Sequence, residues 1–329
     1  MAFEGASKIW MNGRLIPWDE AKIHVCSHVV HYGSAVFEGA RVYNTAKGPM
    51  AFRLRDHMQR LIDSAKIYRM VPSYSVDDLC RAAAETVRAN ELDECYLRPI
   101  VYRGYAQLGV NPTKCPIDTA IAVWKWGAYL GPEALAAGVD VTVSTWTRSA
   151  PNTFPTMAKA AANYMNSQLI NMEAKERGFN EGIALTPSGH VSEGSGENIF
   201  IVWKGRIITP PLSDSVLPGI TRDCVITLAR ELGLTVEEQS IPREMYAGAG
   251  GQLLSRPVPE VLAVYTKTVL DLATQPPAQV SLPSWSQAGG VLSGQSAGGS
   301  PWRYQVPADY LLQATVKLDA QAVFSLTFR

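Results

Sequence analysis

The residue with the clearest chemical potential is Lys159, in "TFPTMAKAAANYMNSQLINMEAKERG" (153–178). Its neighbours are Met157, Ala158, Ala160, Ala161 and Ala162, with no carboxylate beside it in sequence. A lysine is rarely buried unpaired, so the plain reading is a solvated side chain at the start of an alanine-rich helix. The sharper reading is an amine kept in a small-walled pocket as a nucleophile. An amine attacks a carbonyl only when neutral, and apolar neighbours favour that form.

Other segments supply partners for such an amine. In "VSEGSGENIFIV" Glu193 lies among glycine and serine, which let a ligand approach the backbone. In "SVLPGITRDCV" Ile220 and Thr221 open a helix whose N–H groups and dipole suit a phosphate. Arg60, in "DHMQRLIDS", could add a cation there or be an ordinary surface arginine. In "YLRPIVYRG" Tyr96 and Arg98 share one face of a predicted strand, where an arginine fork can bind a carboxylate. His24, His28 and His31 have helical spacing for a metal, but their segment reads as strand, so packing histidines are expected and no metal. No Walker loop, nucleophile elbow or dinucleotide fingerprint follows a predicted strand.

The elements that must position these residues alternate without a strict βαβ repeat, so an α+β or mixed α/β fold is expected. "KIWMNGRLIPWDEAKI" predicts a hairpin turning at Asn12-Gly13. "HVVHYGSAVFEGARVYN" predicts strand, bend and strand. Helices are predicted over 53–70, over 75–92 with Ser75 as N-cap, over 160–177, and from Gly219 to Gly233. Strands are predicted in "CYLRPIVYRGY", "TAIAVWKWG", "VDVTVSTWT", "EGIALTPSG" and the hairpin "NIFIVWKGRIITPP". Gly131-Pro132 marks a boundary: a first domain over 1–128, a linker over 129–135, and a second domain over 136–247. From 248 to 329 the chain turns rich in Gly, Ser, Pro and Gln, and "SQAGGVLSGQSAGGS" reads as low-complexity linker.

The 329 residues are 47% hydrophobic and 18% charged with zero net charge, which argues against a nucleic-acid partner. No apolar run reaches membrane-spanning length, and no signal peptide is visible at the N-terminus, so a cytoplasmic protein is expected. Five scattered cysteines fit reduced thiols there.

Taken together, an amine, an acid for a pyridinium nitrogen and a phosphate seat are the anchors that pyridoxal 5'-phosphate needs. The ordered set "HYGSAVFEGARVY", "RLRDHMQRLIDSAKIYRM", "YLRPIVYRG", "GVNP", "AKAAANYMNSQL", "EGIALTPSGHVSEGSGENIF" and "TPPLSDSVLPGITRD" resembles branched-chain amino acid aminotransferases of the class IV (fold type IV) group. The resemblance runs from about Lys8 to about Arg243. It implies a two-domain fold like that of D-amino acid aminotransferase, with Lys159 as the Schiff-base lysine and proton carrier. It assigns Glu193 to the pyridine nitrogen, Tyr164 to the cofactor's phenolic oxygen, and Arg60, Ile220 and Thr221 to its phosphate. The substrate pocket carries over to Tyr32, Phe37, Tyr96, Arg98, Leu108, Val110 and Trp126. The implied reaction moves the amino group of L-leucine, L-isoleucine or L-valine to 2-oxoglutarate, giving glutamate and a 2-oxo acid, in a homodimer or higher homo-oligomer.

Two alternatives remain open at this stage. One is a related enzyme of the group, such as a D-amino acid or amine transaminase or an aminodeoxychorismate lyase. The other is a degenerate protein that binds the cofactor without exchanging amino groups. The second alternative rests on the C-terminal segment, which lacks the family's strand and Gly-Thr-Ala turn after Ala247. That segment reads either as an off-frame translation from near codon 248 or as a genuine replacement, and both imply weakened folding and activity.

Overall fold

The computed structural model describes residues 3–126, 138–204 and 206–248, and six short strands beyond them. The expected linker over 129–135 lies outside the described residues. By internal contacts the chain divides into two compact units. The first is Met1–Gly127 with Pro151–Asn166, and the second is Ala128–Ala150 with Ser167–Arg329. The segment carrying Lys159 therefore belongs to the first unit, whereas the sequence reading placed it in the second domain.

The first unit contains a seven-stranded antiparallel sheet against which two long helices pack. Its strands are β1 (Lys8–Met11), β2 (Arg14–Pro17), β3 (Ala35–Phe37), β4 (Ala40–Thr45), β5 (Gly48–Ala51), β6 (Cys95–Arg103) and β7 (Ile117–Trp124). The order is β2-β1-β7-β6-β4-β5, with β3 also pairing β6. The β1–β2 turn is the expected one: Asn12 and Gly13 have φ of 47° and 93°, as a two-residue hairpin requires. Helix α2 (Leu54–Ile67) and helix α3 (Val76–Ala89) bury Met58, Leu61, Ala65, Leu79 and Ala83 in a core shared with Leu97, Val101, Ile121 and Val123 of β6 and β7. Each large side chain so enclosed stabilises by about 1.5–3 kcal/mol. Ser75 caps α3 as expected, in a reciprocal capping box with Asp78.

Residues 28–32 depart from the expected strand, while the strand expected after the bend is present as β3 and β4. His28–Tyr32 is a short helix, α1, closed by Gly33 at φ 63°, whose N–H donates to the Val29 carbonyl. The β-branched Val29 and Val30 favour a strand only weakly, and tertiary contacts of His28 override them. Its buried ring meets Ser34 Oγ (2.7 Å) and the Gly109 carbonyl (3.0 Å).

The second unit contains two four-stranded sheets. One runs β14-β10-β9-β8, with β8 (Val141–Thr147), β9 (Glu181–Leu185), β10 (His190–Gly194) and β14 (Ile241–Pro242). The other runs β13-β12-β11-β15, with β11 (Ile199–Trp203), β12 (Arg206–Thr209), β13 (Val236–Glu238) and β15 (Ala263–Val264). Val143, Ile183, Val191, Ile199, Ile201, Ile208 and Ile241 form its core. Helix α4 (Asn163–Glu176) starts three residues later than expected, because Ala160 is used in a bridge with Val36. Helix α5 (Ile220–Glu231) starts after Gly219, as read, and α6 spans Arg243–Gly248.

The C-terminal segment is not all linker. Ser286–Ala288 (β16), Val291–Gln295 (β17) and Pro301–Gln305 (β18) form an antiparallel sheet, and Gln313–Lys317 (β19) pairs with Val323–Thr327 (β20). Ala288 pairs with Val291, so residues on both sides of the Gly-Gly that suggested a linker are in strands. A strand also follows Ala247, although a short one: Ala263 and Val264 pair with β11. Among the described residues no helix is long and apolar enough to cross a membrane.

Candidate active site

In the first unit, Lys159 is fixed from both sides of its backbone. Its N–H donates to Ser64 Oγ (3.0 Å) on α2, and its carbonyl accepts from the Phe37 N–H (3.0 Å). The residue is 6% exposed, between the buried Ala158 and Ala160. This decides against a solvated lysine. The amine donates to Tyr164 Oη at 2.7 Å and lies 5.1 Å from the Phe37 ring centre. Phe37 meets the Tyr164 ring edge-on at 4.8 Å.

Arg98 extends this group. Its Nη2 donates to Tyr96 Oη (3.1 Å), so the two do share a strand face. The guanidinium packs over Phe37 at 4.8 Å and Tyr96 at 5.1 Å, and Tyr96 meets Trp126 edge-on at 4.6 Å. Arg98 Nε is buried without a hydrogen-bond acceptor, a costly state that an entering anion relieves. β6 lies between β7 and β4, so Arg98 is not on a sheet edge.

Arg60 is no surface arginine. Its Nε and Nη2 donate to Glu38 at 2.6 and 2.9 Å, and His57 Nδ1 meets the same carboxylate at 2.7 Å. Burial pushes the Glu38 carboxyl up, but the Arg60 charge and the hydrogen bonds from His57 and Arg60 outweigh it and hold the group well below the usual carboxylate range. Burial lowers the His57 pKa, more than its bond to Glu38 raises it.

Tyr32, Leu108 and Val110 form a separate group. Tyr32 stacks on His28 at 4.4 Å and its Oη accepts the Gly109 N–H at 3.0 Å. Leu108 and Val110 flank that glycine and are exposed. His24 and His31 are likewise held by local contacts, with Tyr105 and the Val25 carbonyl. Among the described residues no cluster could hold a metal ion.

In the second unit, Glu193 stands at the end of β10. Its Oε2 accepts from the Leu217 N–H (3.0 Å) and Asn198 Nδ2 (3.1 Å), and its Oε1 lies 3.3 Å from Arg148 Nη2. Arg148 is itself buried, donating to Ser167 Oγ and to the Gly194 and Ser195 carbonyls. Asn198 also donates to the Leu217 carbonyl (3.0 Å), which binds Glu193 to the turn before Ile220 and Thr221. Those two residues begin α5, whose first-turn N–H groups point along the helix axis.

Sequence reasoning missed Glu38, His57, Ser64 and Arg148. The signal for two of them was present: His57 and Ser64 flank Arg60 at helical spacing, three before and four after, on one face of an amphipathic helix. Arg148 carries no such local mark.

The first unit thus holds a buried amine beside a phenol, and the second an acid gripped by backbone and amide donors near a helix N-terminus. The class IV amino-transferase family matches residues 35–247, and the chain belongs to that family. The branched-chain-amino-acid aminotransferase of Salmonella typhimurium is 50% identical over 265 residues, 80% of this chain and 86% of that protein. The crystal structure of the Escherichia coli branched-chain amino acid aminotransferase is similar with a TM-score of 0.72 at 52% identity, over 73% of this chain and 79% of that one. The branched-chain amino acid aminotransferase of Thermobaculum terrenum, solved in its PLP-bound holo form, is similar with a TM-score of 0.67 at 36% identity, over 75% and 80%.

Proposed function

We propose that this chain transfers the amino group of L-leucine, L-isoleucine or L-valine to 2-oxoglutarate, with pyridoxal 5'-phosphate attached through Lys159. The observation that carries the assignment is the 2.7 Å contact between Lys159 Nζ and Tyr164 Oη. It fits a cofactor whose aldehyde and phenolic oxygen sit on adjacent ring carbons. When bound, the cofactor supplies the carbonyl that takes the amino group and a ring that withdraws electrons.

The residues then divide the work. Lys159 holds the cofactor and, once released, moves the proton of the substrate α-carbon. Tyr164 donates a hydrogen bond to the phenolic oxygen. Glu193, anionic and anchored by three partners, keeps the ring nitrogen protonated. Arg60 and the first turn of α5 at Ile220 and Thr221 take the phosphate. Phe37, Tyr96 and Trp126 give apolar walls for an aliphatic side chain, and Arg98 pairs with the side-chain carboxylate of glutamate. Tyr32, Leu108 and Val110 belong to the substrate side. Their exposure, with that of Val25 and Val30, supports a homodimer or higher homo-oligomer. A cytoplasmic location accords with the five free thiols.

The test is a half-reaction. L-Leucine added to cofactor-loaded protein should convert the cofactor absorbance from its aldehyde-derived to its amine form, and 2-oxoglutarate should reverse it. Borohydride treatment should leave a pyridoxyl group on Lys159. Bound cofactor without conversion would favour the degenerate reading, whose support is that the family match ends at residue 247.

A further inference from the structure

We propose that Glu38 is a positioning residue which, with His57, locks the Arg60 guanidinium in the orientation that receives the cofactor phosphate. The inference rests on the phosphate role assigned to Arg60 above. The Glu38 side chain is 0% exposed, and its oxygens accept from Arg60 Nε (2.6 Å), Arg60 Nη2 (2.9 Å), His57 Nδ1 (2.7 Å) and the Gly39 N–H (3.3 Å). A two-point fork fixes the plane of a guanidinium as well as its place, which a single contact cannot do.

A largely buried ion pair is an inefficient way to stabilise a core, since apolar residues of the same volume do as well or better. What the pair adds is orientation. His57, Arg60 and Ser64 fall on one face of α2, and Ser64 receives the Lys159 N–H. One helix face therefore holds both the backbone of the lysine and the arginine. Glu38 follows Phe37 directly, and the Phe37 N–H binds the Lys159 carbonyl, so the same short strand reaches both groups. His57, kept neutral by burial, donates to Glu38 without adding a second charge to compete with the phosphate.

The experiment compares binding of pyridoxal 5'-phosphate with binding of pyridoxal, which lacks the phosphate but keeps the aldehyde for Lys159. The parent protein, Arg60→Gln, Glu38→Gln, Glu38→Asp and the Arg60→Gln/Glu38→Gln double variant are each titrated. Arg60→Gln should cut the preference for the phosphorylated form about tenfold or more. Glu38→Gln should cut it similarly, and the double variant no further than about twofold beyond either single change. Glu38→Asp retains the charge for folding but is one methylene short of spanning Nε and Nη2, and should lose preference several-fold with pyridoxal binding unchanged. A purely structural role would weaken both ligands alike, and that outcome overturns the inference. So does a preference kept by Glu38→Asp and Glu38→Gln while Arg60→Gln loses it. If Arg60→Gln also keeps the preference, the phosphate role of Arg60 itself falls.

Discussion

Gly219→Ala isolates the hydrogen bonds that hold Glu193. Gly219 precedes α5 with φ −68°, a conformation open to alanine, so backbone strain does not enter. A Cβ there would lie 1.9 Å from Asn198 Oδ1 and 3.1 Å from its Cγ, and 3.2 Å from Arg222 Cβ. The Asn198 amide must move by about 1 Å or more to reach ordinary contact distance. It then gives up its bond to Glu193 Oε2 (3.1 Å) and its bond to the Leu217 carbonyl (3.0 Å). The first, to a charged group, is worth about 1.5–3 kcal/mol and the second about 0.5–1.5 kcal/mol. The lower unfolded-chain entropy of alanine returns about 0.4–1 kcal/mol, leaving a net loss of about 1–4 kcal/mol. Urea unfolding followed by circular dichroism measures it, with Gly196→Ala as control because nothing lies within 4 Å of a Cβ there. A Gly219→Ala protein within about 0.5 kcal/mol of the parent would refute the reasoning. Glu193 keeps the Leu217 N–H and Arg148, so the variant should still bind cofactor, with faster dissociation.

Further expectations follow from the same contacts. Gly39→Ala would place a Cβ 1.9 Å from Tyr96 Oη, forcing the ring off Arg98, and steady-state kinetics should show a KM for 2-oxoglutarate raised about tenfold with leucine affected less. Ser75→Ala removes half of the α3 capping box and should cost about 1 kcal/mol in urea unfolding. Acid should destabilise the protein in two stages. His57 and Glu38 both have lowered folded pKa values, so the unfolded chain binds more protons and stability rises with pH. The His57 contribution is complete above its ordinary value of 6.5 and fades below it, and the Glu38 contribution fades below 4.5. The urea midpoint should therefore fall from pH 7 to pH 5 and again towards pH 3, and His57→Gln should flatten the first stage.

Elements set by local rules were legible. Asn12-Gly13, the Ser75 cap and the Gly219 and Gly233 bounds of α5 act within a few residues, and each is where the sequence places it. Elements set by distant partners were not. α1 exists because His28 finds Ser34 and Gly109, and α4 starts late because Val36 bridges Ala160. Gly109 lies 81 positions from His28, and the Val36–Ala160 bridge likewise joins segments that no window of neighbouring residues spans. The strands beyond Ala263 were masked by composition: glycine and serine lower strand propensity, while backbone pairing such as that between Ala288 and Val291 is indifferent to it.

The site divides along the same line. Lys159, Glu193 and Arg98 drew notice through their own segments, and Tyr164 through the family resemblance, as candidates whose roles are proposed above. The residues that hold them did not, since Ser64 lies 95 positions from Lys159 and Glu38 lies 22 from Arg60. Those supports decide whether the named groups work. An arginine with no fixed plane binds phosphate as a diffuse charge, and a lysine whose backbone drifts by 1 Å leaves its reaction geometry at a cost of about a hundredfold. Fidelity of the first unit therefore turns on β3 and the polar face of α2, which join Glu38, His57, Arg60, Ser64 and Lys159 through hydrogen bonds among themselves and from the Phe37 backbone.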